Sequence, residues 1–152
     1  VVLRVSDDHQ HADVLLGSRE QDGKLWLPKG FVRENEDHST AIDRILQSET
    51  GWCPRVRGDH VVHEGYFYDP RQTDHAWVEI RAALAVVEFD DAPRDFVPGG
   101  DFETVRWMPV DADTVNRMPS AEARFVQQAL RHLQQVGTIG DAMAQQVLSR
   151  SG

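Results

Sequence analysis

Residues 69–79 contain side chains that would suit a phosphorylated nucleotide. A guanidinium such as that of Arg71 can hold a phosphate through two parallel hydrogen bonds, and an indole such as that of Trp77 can stack on a base. Asp74 can close the turn that begins at Asp69 through bonds from its side chain to the backbone. The alternative is structural: Arg71 and Asp74 would then only brace the loop, and Trp77 would belong to the core.

Glu79 follows this loop on a predicted strand. Because successive side chains of a strand point to opposite faces, Glu79 lies opposite Val78 and Ile80. If that apolar pair faces the core, Glu79 points toward a cleft.

Residues 45, 48 and 49 form a second candidate set, on a helix predicted over residues 37–50. Positions i, i+3 and i+4 of a helix lie on one face. Of the three, only Glu49 carries a carboxylate. Ile45 cannot bind a metal or accept a proton, and Ser48 is a weak, neutral ligand.

The stretch from residue 30 to residue 52 resembles the Nudix box. That box contains a glycine, five residues, a glutamate, seven residues, then arginine, glutamate, an apolar residue, any residue, two glutamates, any residue, glycine and an apolar residue. Seven positions match in register, namely Gly30, Glu36, Arg44, Leu46, Glu49, Gly51 and Trp52. Ile45 and Ser48 stand where the family has two further glutamates. The resemblance implies an α/β protein with the Nudix fold, a mixed β-sheet sandwiched between helices.

The resemblance also implies a divalent metal. In the family, Mg²⁺ (or Mn²⁺) clamps a diphosphate and helps to activate the attacking water. Carried over to this chain, its ligands are Glu49, the backbone carbonyl of Gly30 and Glu36, with the metal bound together with the substrate's phosphates. Arg44 has a structural role in the family and would pair with Glu36. Because losing a general base costs roughly 10²–10⁴-fold in rate, we expect a slow enzyme or none.

A second motif, in residues 64–79, resembles the signature of one Nudix branch. That branch contains the mitochondrial-type ADP-ribose pyrophosphatases and the ADP-ribose-sensing domain of a melastatin-type cation channel. It implies ADP-ribose as the preferred ligand, Arg71, Asp74 and Trp77 as binding residues, and Glu79 as a catalytic candidate beside Glu49. Three functions stay open, namely weak Mg²⁺-dependent hydrolysis, binding or sensing without cleavage, and a scaffold or interaction protein whose pocket is vestigial.

Lys29 suggests a further alternative. Residues 26–30 resemble the dinucleoside polyphosphate branch of Nudix hydrolases, in which Lys29 would add a charge beside the phosphates, unless it only faces solvent. Arg33, three residues after Gly30, is a further candidate for substrate binding. Residues 101–107 resemble a late Nudix segment in which an acid serves as base in some relatives. Glu103 is therefore a third catalytic candidate, with Asp101 as the alternative.

The elements that must position these residues follow from hydrophobic periodicity and turn signals. We predict strands over residues 1–5, 13–18, 25–27, 61–68, 76–89 and 103–110, and helices over residues 37–50, 121–136 and 141–150. Asp37 or Ser39 can cap the first helix, and Gly51 follows its end, where a left-handed residue is favoured.

Composition narrows the partners. The chain has 152 residues, of which 25 are acidic and 16 basic, for a formal net charge of −9. This excess of acidic residues argues against a nucleic-acid-binding protein, because binding the phosphates requires clustered Lys and Arg side chains. No apolar run approaches the ~18 residues of a membrane span. We expect a single domain over residues 1–152, with 137–152 as a C-terminal helix or tail. We also expect a small nucleotide as ligand, no membrane partner and a cytoplasmic location, and leave a homodimer open.

Overall fold

A computed structural model describes residues 1–19, 22–55, 60–67 and 78–148 of the chain. In this part, six strands form one sheet: β1 (Val2–Val5), β2 (Ala12–Ser18), β3 (Leu25–Trp26), β4 (His60–Phe67), β5 (Val78–Glu88) and β6 (Thr104–Pro109). The helices are α1 (His38–Thr50), α2 (Ala112–Asn116), α3 (Ser120–Gln135) and α4 (Asp141–Leu148), with a short 3₁₀ turn at Phe89–Asp91.

The sheet is mixed. Strands β1 and β5 run parallel, with Val2 opposite Ala85. Strand β2 pairs antiparallel with β1, β3 and β6, and β4 pairs antiparallel with β5. In the chain, helix α1 follows β3 and precedes β4, which stand at opposite ends of the strand order β3-β2-β1-β5-β4.

Both faces of the sheet are covered by helices. On β2, Val14 and Leu16 pack in the cluster that contains α2, α3 and α4, whereas Leu15 packs in the cluster that contains Leu46 of α1. All three side chains are at most 1% exposed. Because alternate residues of a strand face opposite sides, burial of all three requires a layer on each face. The predicted fold class, a mixed sheet sandwiched between helices, is confirmed.

Helix α1 has both of the ends that the sequence predicts. The Asp37 side chain accepts a hydrogen bond from the Thr40 N–H, at 2.7 Å. Gly51 is left-handed, with φ +72°, and its N–H donates to the Gln47 carbonyl. These caps fix where the helix begins and ends, and therefore fix the position of Glu49 in its last turn.

A loop of residues 96–101 closes the same end of α1. Its backbone donates from Val97 to the Thr50 carbonyl and from Gly99 to the Glu49 carbonyl, each at 3.0 Å. A Cβ on Gly99 would lie 2.0 Å from the Ser48 carbonyl oxygen. Only glycine at position 99 therefore allows the loop to come this close to the end of α1.

Several predicted boundaries need correction. Strand β3 ends at Trp26 rather than at residue 27, and Phe89 begins the 3₁₀ turn rather than ending β5. On β5, Val86 is 39% exposed and borders an open cavity of about 450 Å³. Helix α2 was not predicted; its signals are a cap at Asp111 and one short turn.

Residues 141–148 are helical, within the segment expected to be a C-terminal helix or tail. Helix α4 ends at Leu148, and residues 149–152 lie outside the described part of the chain. Ala144 and Val147 are fully buried in the α2–α4 cluster. No helix among the described residues is long and apolar enough to cross a bilayer.

Replacing Gly51 by alanine should lower the free energy of unfolding by about 2 kcal/mol or more. The left-handed backbone alone costs roughly 1–2 kcal/mol for a residue with a Cβ. At Gly51 the new Cβ would also come within 2.8 Å of the Val97 Cβ. Urea unfolding measures the loss.

Gly23 supplies the matched control, because its φ is +64° and a Cβ there would meet nothing within 4 Å. Gly23→Ala should show the backbone cost only. Equal losses in the two variants would contradict the contact between Gly51 and the 96–101 loop.

Candidate functional site

Glu49 stands in the last turn of α1, half-buried, with a carboxylate oxygen 3.2 Å from the Lys29 N–H that donates to it. Burial raises the pKa of this carboxyl group above its ordinary value. The Lys29 N–H and the charges of Arg19 and Lys29 oppose that rise, and Asp101 adds to it. Glu49 is therefore a carboxylate that is partly removed from water and faced by two cations.

Ile45 occupies the neighbouring position on the same face of α1. A Cβ built on Gly30 would lie 2.8 Å from Cγ1 of Ile45. Gly30 ends a stretch of four residues that we call the 27–30 segment, and it lies directly against the apolar side chain that replaces a family glutamate. Only glycine at position 30 allows this approach.

Glu36 and Arg44 form the pair that the family resemblance implies. Arg44 donates from Nε and from a terminal nitrogen to the two oxygens of Glu36, at 2.9 and 2.8 Å. It also donates to the Phe31 carbonyl, and Glu36 accepts the Arg33 N–H. Hydrogen bonding from Arg44 is the main cause that lowers the pKa of Glu36 to about 2. The pair fixes the loop before α1 and already engages both oxygens of Glu36.

Glu122 was not foreseen from the sequence. It lies on α3, 6% exposed, and one oxygen accepts the Leu27 N–H at 2.8 Å. The other oxygen lies 3.5 Å from Nζ of Lys29. Burial raises the pKa of Glu122, and Lys29 opposes the rise. The 27–30 segment is thus held by two carboxylates, one from α1 and one from α3.

Trp26 presents its ring to two cations. The guanidinium carbon of Arg19 lies 4.2 Å and Nζ of Lys29 lies 4.4 Å from the ring centre. The indole N–H donates to Asp22. The Nε of Arg19 is buried and has no hydrogen-bond partner in the described part of the molecule. Arg19 was not predicted as a site residue, because it belongs to neither sequence motif.

The other residues proposed from the sequence are not part of this cluster. Arg71, Asp74 and Trp77 lie outside the described residues, so their roles stay predictions. Glu79 is exposed on β5, on the face opposite Ile80, as expected.

Two loop candidates are described. Glu103 is exposed just before β6, and its N–H donates to the Ser18 carbonyl. Arg33 is exposed, with its N–H engaged by Glu36. Their roles in catalysis and substrate binding also stay predictions.

The described residues do not by themselves make a metal site. Among them no group of three or more His, Cys, Asp or Glu side chains is placed to hold a metal ion. Glu49 and the Gly30 carbonyl could take part only if the ligand supplied further oxygens, because Mg²⁺ needs about six.

The site therefore combines one half-buried carboxylate, two cations and an indole face. Cations suit phosphate oxygens, and an indole suits a base or sugar face. This combination favours a ligand that has both an anionic and a planar or sugar part.

A sequence model of the NUDIX domain matches residues 1–129. The chain belongs to the Nudix family, which confirms the assignment from the box. No curated protein matches the sequence.

Solved structures agree on the fold. The NUDIX domain of Shewanella oneidensis NrtR, complexed with ADP ribose, is 19% identical, with a TM-score of 0.65, over 87% of this chain and 84% of that one. A Caenorhabditis elegans Ap4A hydrolase binary complex is 14% identical, with a TM-score of 0.63, over 89% and 98%. A bifunctional NMN adenylyltransferase/ADP ribose pyrophosphatase of Francisella tularensis, with AMP and a Mn ion, is 20% identical, with a TM-score of 0.54, over 88% and 41%.

Replacing Arg44 by methionine should raise the pKa of Glu36 from about 2 toward its ordinary value of 4.5. An NMR titration of the carboxyl carbon measures this change. Arg131→Met, an exposed arginine on α3, is the matched control and should leave the pKa of Glu36 unchanged.

The same pair gives a pH-dependent stability. A pKa lowered by folding stabilises the folded state above the unfolded value, and this contribution disappears as the pH falls through the folded value. The free energies of unfolding of the wild type and Glu36→Gln should therefore differ near neutral pH and converge as the pH falls from 4.5 toward about 2. A constant difference over that range would contradict the charged pair.

Proposed function

We propose that this Nudix domain binds a nucleoside diphosphate linked to a second group, with ADP-ribose as the preferred candidate, and that it hydrolyses the pyrophosphate bond slowly. The observation that carries the proposal is the position of Glu49. This last carboxylate of the box face is half-buried beside Arg19 and Lys29. Ile45, packed against Gly30, takes the place of a second carboxylate.

The ligand class is supported by three independent features. The two cations and the Trp26 ring form one cluster with Glu49 and Glu122. The second sequence motif resembles the ADP-ribose branch. Among solved structures with the same fold, one Nudix domain is complexed with ADP ribose and another protein is an ADP ribose pyrophosphatase.

Mg²⁺ or Mn²⁺ would accompany the ligand. The Nudix family uses divalent metal, and the Francisella tularensis structure contains a Mn ion. Glu49 and the Gly30 carbonyl are the residues of this chain that would contact the ion, with phosphate oxygens completing its shell. When bound, such an ion neutralises diphosphate charge and acts as a Lewis acid.

The other residues have proposed roles that follow from the motifs. Arg71, Asp74 and Trp77 would contact the ligand, together with Arg33 and Lys29. Glu79 and Glu103 would stand as candidate bases in place of the lost acids. Glu36 would serve chiefly to hold the loop, because Arg44 and the Arg33 N–H already engage its oxygens.

Binding without hydrolysis is the second candidate. The contact between Ile45 and Gly30 favours it, because an apolar side chain there neither holds a metal nor accepts a proton. A dinucleoside polyphosphate is the alternative substrate. It is favoured by Lys29, whose Nζ lies over Trp26, and by the likeness in fold to an Ap4A hydrolase.

Calorimetry with ADP-ribose and Mg²⁺, together with an assay for released AMP, tests the proposal. We expect binding and slow turnover, with the turnover lost in Glu49→Gln. Binding of intact ligand would establish the non-catalytic candidate. Turnover of diadenosine polyphosphates in preference to ADP-ribose would establish the alternative substrate. The absence of both binding and turnover would contradict the proposal.

Restoring the two acids should restore catalysis. Ile45→Glu with Ser48→Glu should raise the turnover of ADP-ribose by roughly 10²–10⁴-fold, the usual contribution of a general base. Ile45→Gln with Ser48→Gln is the matched control, with nearly the same volume and no charge, and should leave turnover unchanged. An equal effect of both pairs would show that packing, rather than lost carboxylates, limits the rate.

A further inference from the structure

Glu122 stands between the core and the candidate site. It is a buried acid on α3, in a sequence position that belongs to neither motif. One of its oxygens accepts the Leu27 N–H, at 2.8 Å, which ties the end of the 27–30 segment to α3. A neutral acceptor could make that bond equally well, so the bond does not account for the charge of the carboxylate.

Among the described residues, the charge of Glu122 has one partner within salt-bridge distance, the ammonium group of Lys29, at 3.5 Å. The Glu122 side chain is 8% exposed, whereas that of Lys29 is 50% exposed. The pair therefore has a buried anion and a cation that solvent, or a ligand, can reach. Lys29 is held on its other side by the Trp26 ring, at 4.4 Å.

A phosphate that approaches Lys29 must share the ammonium group with Glu122. The two anions would repel each other across this cation, and the repulsion is only weakly screened because Glu122 is shielded from water. The charge of Arg19 also lowers the pKa of Glu122, but less than that of Lys29 does. Lys29 is thus the cation whose charge Glu122 compensates most.

We propose that Glu122 is an internal competitor for Lys29, which weakens the binding of bare phosphate groups to this site. The inference rests on the proposed function only in taking a diphosphate as the anionic part of the ligand. Its consequence is selectivity. Free phosphate or pyrophosphate, which has no other group to bind, is disfavoured, whereas a ligand that also has a sugar and a base is retained by its further contacts.

The test is the binding of inorganic pyrophosphate, measured by calorimetry in a metal-free buffer. Glu122→Gln keeps the shape of the side chain and an oxygen for the Leu27 N–H, and removes the charge. It should bind pyrophosphate about five- to tenfold more tightly than the wild type, as expected for loss of a nearby like charge. Glu88→Gln, an exposed acid at the end of β5, is the matched control and should bind like the wild type.

A double-mutant cycle separates competition for Lys29 from a general effect of charge. Lys29→Gln should weaken pyrophosphate binding, and Glu122→Gln added to it should then give less than half of its original gain. The same gain in both backgrounds would overturn the proposal, as would unchanged or weaker binding by Glu122→Gln alone. Absence of pyrophosphate binding by every variant at millimolar concentration would overturn it too.

Two further measurements keep the result interpretable. Thermal unfolding checks that Glu122→Gln is folded. If it is not, Glu122→Asp keeps the charge but shortens its reach to Lys29, and should give a smaller gain of the same sign. ADP-ribose is titrated in parallel: a gain for pyrophosphate without ADP-ribose binding would overturn the proposed function and leave the role of Glu122 standing.

Discussion

The close approach of the 27–30 segment to helix α1 is the contact on which the site depends. Gly30 lies against Ile45 without room for a Cβ, and the Lys29 N–H reaches the Glu49 carboxylate. From the opposite side, Glu122 holds the Leu27 N–H. Because these contacts come from two helices on opposite faces of the sheet, the segment is fixed relative to the whole sandwich, and Trp26 and Lys29 are fixed with it.

The negative charges of Glu49 and Glu122 lie close together and partly buried, and nearby cations compensate them less than Arg44 compensates Glu36. Burial raises the pKa values of both Glu49 and Glu122, and Lys29 opposes the rise in each case. Glu36 shows the contrasting case, since a guanidinium bonded to both of its oxygens lowers its pKa. The acid that braces the loop therefore has a lowered pKa, whereas the two acids beside the 27–30 segment have raised ones.

Sequence signals predicted the structural features that are set by residues close together in the chain. Asp37 and Gly51 cap α1 as expected, and the resemblance to the Nudix box anticipated the ion pair of Glu36 and Arg44. Glu122 could not be found in this way, because its contact with Leu27 spans 95 positions and leaves no periodic trace. Arg19 was missed for a different reason: it is close to Trp26 in sequence but belongs to neither motif, and the pairing of β2 with β3 brings its guanidinium group over the Trp26 ring. The short helix α2 was missed because five residues contain too few turns to show a period.

The 96–101 loop has an electrostatic consequence for the neighbourhood of Glu49. The carbonyl end of a helix carries about half of a negative charge, and at α1 this pole lies beside the carboxylate that would face an anionic ligand. Backbone donors from Val97 and Gly99 are bonded to the carbonyls of Thr50 and Glu49. The loop thus partly cancels the negative pole of the α1 dipole, so that phosphates approaching this corner meet less repulsion from the backbone.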